Sequence, residues 1–277
     1  AAIEEVLLKE RPASVVVFGD TNSTLAAALA AAKLHIPVAH VEAGLRSFNR
    51  AMPEEINRVL TDHVSAQLYC PTETAVRHLQ REGITEGVEL PGDVMFDVLL
   101  EARPQIERRT RELVPALGLE PRGYVLATIH RPANTDDPEA MRRIAQAFNA
   151  SSLPVYFPVH PRTRKLLDQY QIPWGRHVRF VEPVGHLDLL ALAAGAAWVA
   201  TDSGGVQKEA FLLSAPCVTL RTETEWTETL EGGWNVLTGS QTEAILRALS
   251  RPRPAPLRHN PFGQGDAAQR IAASLRG

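Results

Sequence analysis

One feature constrains this chain more than any other: short, unbroken apolar runs alternate with helical stretches from end to end. Residues 14–18 (SVVVF) are β-branched and continuous, and they stop at Gly19-Asp20. A strand covered on both faces reads this way, whereas a half-exposed strand alternates polar and apolar residues. The alanine-rich stretch 24–34 follows as a helix. Residues 38–41 are the next strand and end at Glu42-Ala43-Gly44. Residues 53–64 form a helix with Pro53 first and Glu54 and Glu55 at its positive end. Residues 67–70 are a third strand, and 72–82 a helix with a Thr72 cap and Gly83 beyond its end.

Strands are predicted again at 124–129, 155–159, 178–181, 198–201 and 217–220, with helices at 138–149, 163–170, 187–194 and 205–213. The proline-rich stretch 252–261 precedes a last helix at 266–275. Strands separated by helices imply parallel sheets with right-handed crossovers, so the fold class is α/β. At about 150 residues per domain, 277 residues give two domains. The expected division is 1–98, a charged connection with a helical middle at 99–121, a second domain at 122–258, and a crossing segment with helix at 259–277. The first domain shows about three strands, thin beside the five or six usual in a doubly wound sheet.

Composition excludes several classes. With 44% hydrophobic and 22% charged residues, the chain is not disordered as a whole. A net charge of −3 and a pI near 6.3 remove the electrostatic case for a nucleic-acid partner. Cys70 and Cys217 make no disulfide framework and lack metal-site spacing, which fits a reducing cytoplasm. No apolar run approaches the roughly 20 residues that span a bilayer, so no membrane partner is expected. The first twelve residues, AAIEEVLLKERP, have neither the basic start nor the apolar core of a signal peptide. The chain lacks an initiator Met and is expected to be a fragment or a processed product.

Ligands of open parallel sheets bind beyond the carboxyl ends of the strands. The residues there are Asp20, Glu42, His130, His160 and the run Asp202-Ser203-Gly204-Gly205. A carboxylate after a strand also serves as a helix cap, a reading open at Asp20, since Thr21 and Asn22 follow it. In TDSGGVQKE a strand runs through Ser203-Gly204-Gly205 into a helix. Glycines let a backbone approach an anion, and a helix start offers N–H groups and partial positive charge. This suits a diphosphate, although the same turn also opens ordinary helices. Glu209, one to two turns on, is either a ribose contact or a solvated acid. Glu54, Asn57 and Arg58 share one helix face, and Ile56, Val59 and Leu60 are expected in the core. His130-Arg131 and His160-Pro161-Arg162 suit anionic ligands. GxGxxG, GxxxxGK[ST], HExxH, CxxC and GxSxG are all absent.

Taken in order, several segments resemble the non-hydrolysing UDP-N-acetylglucosamine 2-epimerase family. They are Gly19-Asp20-Thr21, HVEAGLRS (40–47), MPEEINR (52–58), PTE (71–73), Gly92-Asp93, IHR (129–131), HPR (160–162), EPVGHLDLL (182–190), TDSGGVQKEA (201–210), PCVTLR (216–221) and NPFGQG (260–265). The resemblance implies two Rossmann-like domains of the glycosyltransferase-B type, the first incomplete at its N-terminus. It implies catalytic roles for Asp20, Glu42, Glu54 and His130, support from Arg58, diphosphate binding at Ser203, Gly204 and Gly205, and a ribose contact at Glu209. Arg131, His160 and the EPVGHLD segment are implied to line the same site.

The implied reaction converts UDP-GlcNAc to UDP-ManNAc for surface polysaccharide. It runs by anti elimination of UDP to a 2-acetamidoglucal and re-addition on the other face. The implied partners are a UDP-sugar and a second copy of the chain, with no redox cofactor and no metal. The sequence departs from the family in three places: no GTRPE-like segment is present, Trp226 stands where many members have Arg, and Pro132-Ala133 follow His130-Arg131 where many have Arg and Glu. The allosteric substrate site of bacterial members is therefore not expected. SFNRAMPEEINR and TETEW also resemble the sister enzymes acting on UDP-2,3-diacetamido-2,3-dideoxy-glucuronate. A glycosyltransferase of the same fold, or an inactive UDP-sugar-binding remnant, remain alternatives.

Overall fold

The computed structural model describes residues 2–256 and 259–276. The chain divides into two compact units, residues 1–100 with 259–277, and residues 101–258. Predicted and observed elements agree to within two residues wherever both exist.

The first unit begins with α1 (Ala2–Glu10), β1 (Val15–Phe18), α2 (Asn22–Lys33), β2 (Val38–Val41) and α3 (Pro53–Val64). It continues through β3 (Gln67–Tyr69), α4 (Glu73–Arg81) and β4 (Val88–Glu89), and α5 (Val94–Ala116) begins in it while residues 101–116 of that helix belong to the second unit. The strands form one parallel sheet in the order β1-β2-β3-β4. The sheet thus has four strands rather than about three, because β4 is two residues long and too short to register as an apolar run. Thr21 caps α2, its hydroxyl accepting from Thr24 N at 3.3 Å, and Thr72 caps α4 in the same way through Ala75 N. The cap reading of Asp20 therefore fails. Leu7, Val17, Ala28, Ala31 and Val38 form a core on one side of the sheet, but Val16 and Phe18 on the other face of β1 are 37% and 61% exposed, so this strand is not covered on both faces as its unbroken apolar run predicts.

Helix α3 contradicts the predicted amphipathicity. Ile56 and Leu60 are 45% and 43% exposed, while Glu55, Asn57, Arg58, Thr61 and Asp62 are buried. The polar face turns inward because it meets polar partners from the strand ends, described below. The predicted connection is mostly one continuous 23-residue helix, α5, which runs through Pro104.

The second unit contains β5 (Val125–Thr128), α6 (Pro132–Thr135), α7 (Pro138–Asn149), β6 (Val155–Pro158), α8 (Pro161–Tyr170), β7 (Val178–Val181) and α9 (His186–Gly195). It continues through β8 (Trp198–Thr201), α10 (Gly204–Leu212), β9 (Cys217–Thr219), β10 (Asn235–Leu237) and α11 (Thr242–Leu249). The six strands are parallel, in the order β10-β9-β8-β5-β6-β7. Val125 and Ala127 of β5 enter one core with Ile144, Phe148 and Phe157, while Leu126 enters the opposite core with Tyr156, Leu192 and Val199. Both faces are covered, which is why these runs carry no polar alternation. β10 and α11 were not legible as separate elements. The last helix, α12 (Ala267–Ser274), belongs to the first unit: Ile271 packs on Ala39, Val41 and Tyr69. Among the described residues no helix is long and apolar enough to cross a membrane.

Candidate active site

In the second unit the strand order reverses between β5 and β8, and the carboxyl edge at that switch point is where open α/β sheets take ligands. The two strand ends are tied together. Thr128 and Thr201 are paired in register, with their hydroxyls 2.6 Å apart. Beyond them, Asp202 is fully buried, and its carboxylate accepts from His130 N at 3.1 Å, Arg131 N at 3.0 Å and Asn134 Nδ2 at 3.0 Å. Asp202 thus locks the His130-Arg131 turn against its own turn. The His130 ring stays half exposed, with Nδ1 3.4 Å from the Asp202 carboxylate.

Ser203 caps α10, its hydroxyl accepting from Val206 N. The two glycines that follow differ. A Cβ on Gly204 would lie 2.1 Å from Glu225 Oε1, whereas one on Gly205 would meet nothing within 4 Å. Glu209 is 6% exposed, and its Oε1 lies 2.7 Å from His186 Nε2, so it is not a solvated acid. His160 caps α8, with Nδ1 accepting from Arg162 N. His130, His160, Arg162, Pro183 and Val184 line a cavity of about 320 Å³. The structure therefore gathers His130, Arg131, His160, Ser203, Gly204, Gly205 and Glu209 at one edge of one sheet. Trp226, the departure from the family pattern, is buried, with Lys208 Nζ 3.8 Å from its ring centre.

In the first unit, β1 and β2 end at Gly19-Asp20 and Glu42. Arg58 Nη2 donates to the Asp20 carboxylate, and Asn57 Nδ2 donates to the Asp20 carbonyl at 2.9 Å. Arg58 Nη1 donates to Glu55 at 2.9 Å. Glu42 adopts φ +75°, a left-handed conformation uncommon for a side chain with a Cβ. Its Oε2 lies against Gly19, where a Cβ would approach to 3.2 Å. Asp20, Glu42 and Arg58 are thus brought together, and Glu54 sits half-buried one turn before Arg58.

Sequence reasoning assigned no role to Asp202, although its place after a strand was visible. It also missed Glu55, which accepts from Ser47 N, Ser47 Oγ and Phe48 N at 2.8–2.9 Å. Burial pushes that carboxyl up, but the Ser47 hydrogen bonds and the Arg58 charge outweigh it and hold Glu55 below the usual carboxylate range. Glu55 lies in the MPEEINR segment and Ser47 ends HVEAGLRS, but their contact joins a helix to a loop without regular structure, which spacing does not reveal.

Residues 1–276 match the family described as UDP-N-acetylglucosamine 2-epimerase. The chain is 51% identical to a UDP-N-acetylglucosamine 2-epimerase homolog of Methanococcus maripaludis, over 99% of this chain and 78% of the relative. It is 44% identical to the UDP-2,3-diacetamido-2,3-dideoxy-D-glucuronate 2-epimerase of Pseudomonas aeruginosa, over 99% and 77%. Among solved structures, it is similar to the Methanocaldococcus jannaschii UDP-GlcNAc 2-epimerase in complex with UDP-GlcNAc and UDP. That similarity has a TM-score of 0.89 and 42% identity, over 99% of this chain and 78% of that one. The α/β fold with two parallel sheets, of glycosyltransferase-B type, is shared with these neighbours.

Proposed function

Since the chain belongs to the UDP-N-acetylglucosamine 2-epimerase family, a family of isomerases, we propose that it inverts C2 of a UDP-N-acetylhexosamine by eliminating and re-adding UDP. The observation that carries this reading is the carboxylate pair at adjacent strand ends, Asp20 gripped by Arg58 and Glu42 held left-handed beside Gly19. C2 of the sugar has no adjacent carbonyl, so its proton becomes removable only as C1 gains positive character. In the proposed step a base of the first unit takes the C2 proton. The C–H pair becomes the C1=C2 double bond, and the C1–O pair leaves with the diphosphate. Return requires a proton on the opposite face of C2 and attack of the diphosphate oxygen at C1. Two proton-handling groups serve this better than one, and Asp20, Glu42, Glu54 and His130 are the candidates.

The second unit supplies the nucleotide grip in this proposal. The start of α10, with Ser203 and the two glycines, offers N–H groups and dipole to the diphosphate, and Arg131 adds charge as the bond breaks. Glu209, oriented by His186, takes the ribose hydroxyls. His160 lines the same cavity as His130. A homodimer is part of the proposal, resting on family resemblance.

A second reading is favoured by the Pseudomonas aeruginosa relative, whose sugar carries a second acetamido group and a carboxylate. Assay of the purified chain with both UDP-sugars separates the two. Turnover of UDP-GlcNAc is expected. Turnover of only the diacetamido uronate would replace the substrate, and turnover of neither would refute the epimerase reading.

A further inference from the structure

The proposed chemistry leaves one buried polar cluster of the first unit unused. His40, on β2, has a fully buried side chain and is paired in register with Val17 and Leu68. Its Nε2 lies 2.8 Å from the Gly19 carbonyl, and its Nδ1 lies 2.6 Å from Asp62 Oδ1. A carbonyl oxygen only accepts, so Nε2 is the donor in its contact with Gly19. Asp62, equally buried on α3, uses its other oxygen to accept from Gly44 N at 3.1 Å and Arg46 Nη1 at 2.6 Å. Arg46 is anchored in turn by both oxygens of Glu82, each at 2.7 Å.

This chain of bonds joins two turns. Gly19, at φ +63°, ends β1, and Gly44, at φ +80°, ends the segment after β2. Between them in space stands Glu42 at φ +75°, whose carboxylate abuts Gly19. A non-glycine residue in this region is strained and persists only where its surroundings over-determine it. The His40 ring grips the turn that carries Asp20, and Asp62 grips the turn that carries Glu42. Their contact makes the two one rigid piece.

We propose that His40, through its contact with Asp62, is a positioning residue that sets the relative placement of the Asp20 and Glu42 carboxylates. This rests on the proposed function only for its consequence in catalysis. The geometric claim stands on the hydrogen bonds alone.

The test compares the wild-type chain with His40→Leu, which removes both bonds, His40→Gln, which can keep a donor toward Gly19, and Asp62→Asn, which leaves the ring in place. Misplacement of reacting groups by about 1 Å costs on the order of 100-fold in rate. His40→Leu is therefore expected to lose about that factor in kcat per UDP-binding site, with UDP affinity by calorimetry unchanged. His40→Gln should recover part of it, and the primary isotope effect with C2-deuterated sugar should rise as proton removal slows. A residue that only stabilises the fold would reduce the folded fraction and leave kcat per binding site and the isotope effect as they were, which would overturn the proposal.

Crystal structures of His40→Gln and Asp62→Asn give a readout independent of activity. The Gly19–Asp20 turn and Glu42 are expected to move relative to one another. Unmoved turns would refute the positioning role even in an active enzyme. Moved turns in a chain with no wild-type turnover would retain it and refute the epimerase reading instead.

Discussion

Gly204 and Gly205 are adjacent, alike in sequence and opposite in what they answer to, and substituting each by alanine separates fold from ligand. At Gly204 the new methyl would start 2.1 Å from Glu225 Oε1 and 3.2 Å from its carboxyl carbon. Side-chain carbons do not approach closer than 3.0 Å, so the carboxylate must retreat by about 0.9 Å. It has little room: Glu225 is 7% exposed and accepts from Arg221 Nη2 at 3.0 Å. Overpacking of this kind costs about 1–3 kcal/mol. Replacing glycine returns about 0.4–1 kcal/mol by restricting the unfolded chain. Gly204→Ala should therefore lose up to about 2.6 kcal/mol, a fall in Tm of up to about 10 °C at about 2–4 °C per kcal/mol.

Gly205→Ala meets no atom within 4 Å, and its backbone is not left-handed. It should fold as well as the wild type or gain up to about 1 kcal/mol. Nothing in the protein requires a glycine there, so the requirement falls to the ligand. A methyl at the second residue of α10 would hold the diphosphate off the helix start, weakening UDP by at least about tenfold, or 1.4 kcal/mol. Differential scanning calorimetry and titration calorimetry with UDP read both quantities. A Gly205→Ala chain that binds UDP like the wild type would refute the diphosphate assignment. A Gly204→Ala chain as stable as Gly205→Ala would refute the packing argument.

Three further outcomes are expected. Glu42→Gln should keep the melting temperature and UDP affinity while losing about 100-fold or more in turnover, and ordinary epimerisation by this variant would remove Glu42 from the mechanism. Glu55, held below its ordinary value of 4.5, favours the folded state when ionised, so its contribution is complete above about pH 4.5 and drains away as pH falls toward its lower folded value. Glu55→Gln should flatten the acid limb of urea midpoint against pH, and an unchanged limb would contradict this. Burial pushes the Cys70 and Cys217 thiols up to about 12, with the Asp62 charge adding to the effect at Cys70. An aromatic disulfide reagent at pH 8 should label neither in the folded chain and both in urea, and fast native labelling would show that the cores open.

The second sheet was legible because its strands are covered on both faces, whereas β1 keeps an unbroken apolar run although Val16 and Phe18 are exposed. Val125, Leu126 and Ala127 point alternately into two cores, so the run is apolar throughout and stops where the edge begins. The residue after such a run was then a candidate by position alone, and Asp20, Glu42, His130 and Ser203 emerged that way. A strand of two residues such as β4 leaves no run to see. Helix α3 misled because periodicity assigns charge to solvent, while here Arg58 meets Asp20, 38 positions away, and Asp62 meets His40, 22 away. Polar burial depends on partners brought together only by the fold, so the partners of Asp202, which was itself a candidate by position, those of Glu55, and the His40–Asp62 contact could not be read from spacing.

Proton exchange at C2 tests the central claim most directly. The purified chain is incubated with UDP-GlcNAc in D2O, and the C1 and C2 protons of the sugar are followed by NMR. The account predicts that the 2-epimer appears with deuterium at C2 and that the C2 proton of the starting sugar is lost as equilibrium is approached. Formation of the 2-epimer with its original C2 proton retained would contradict the elimination route, and the absence of both epimer and exchange would contradict the assigned reaction.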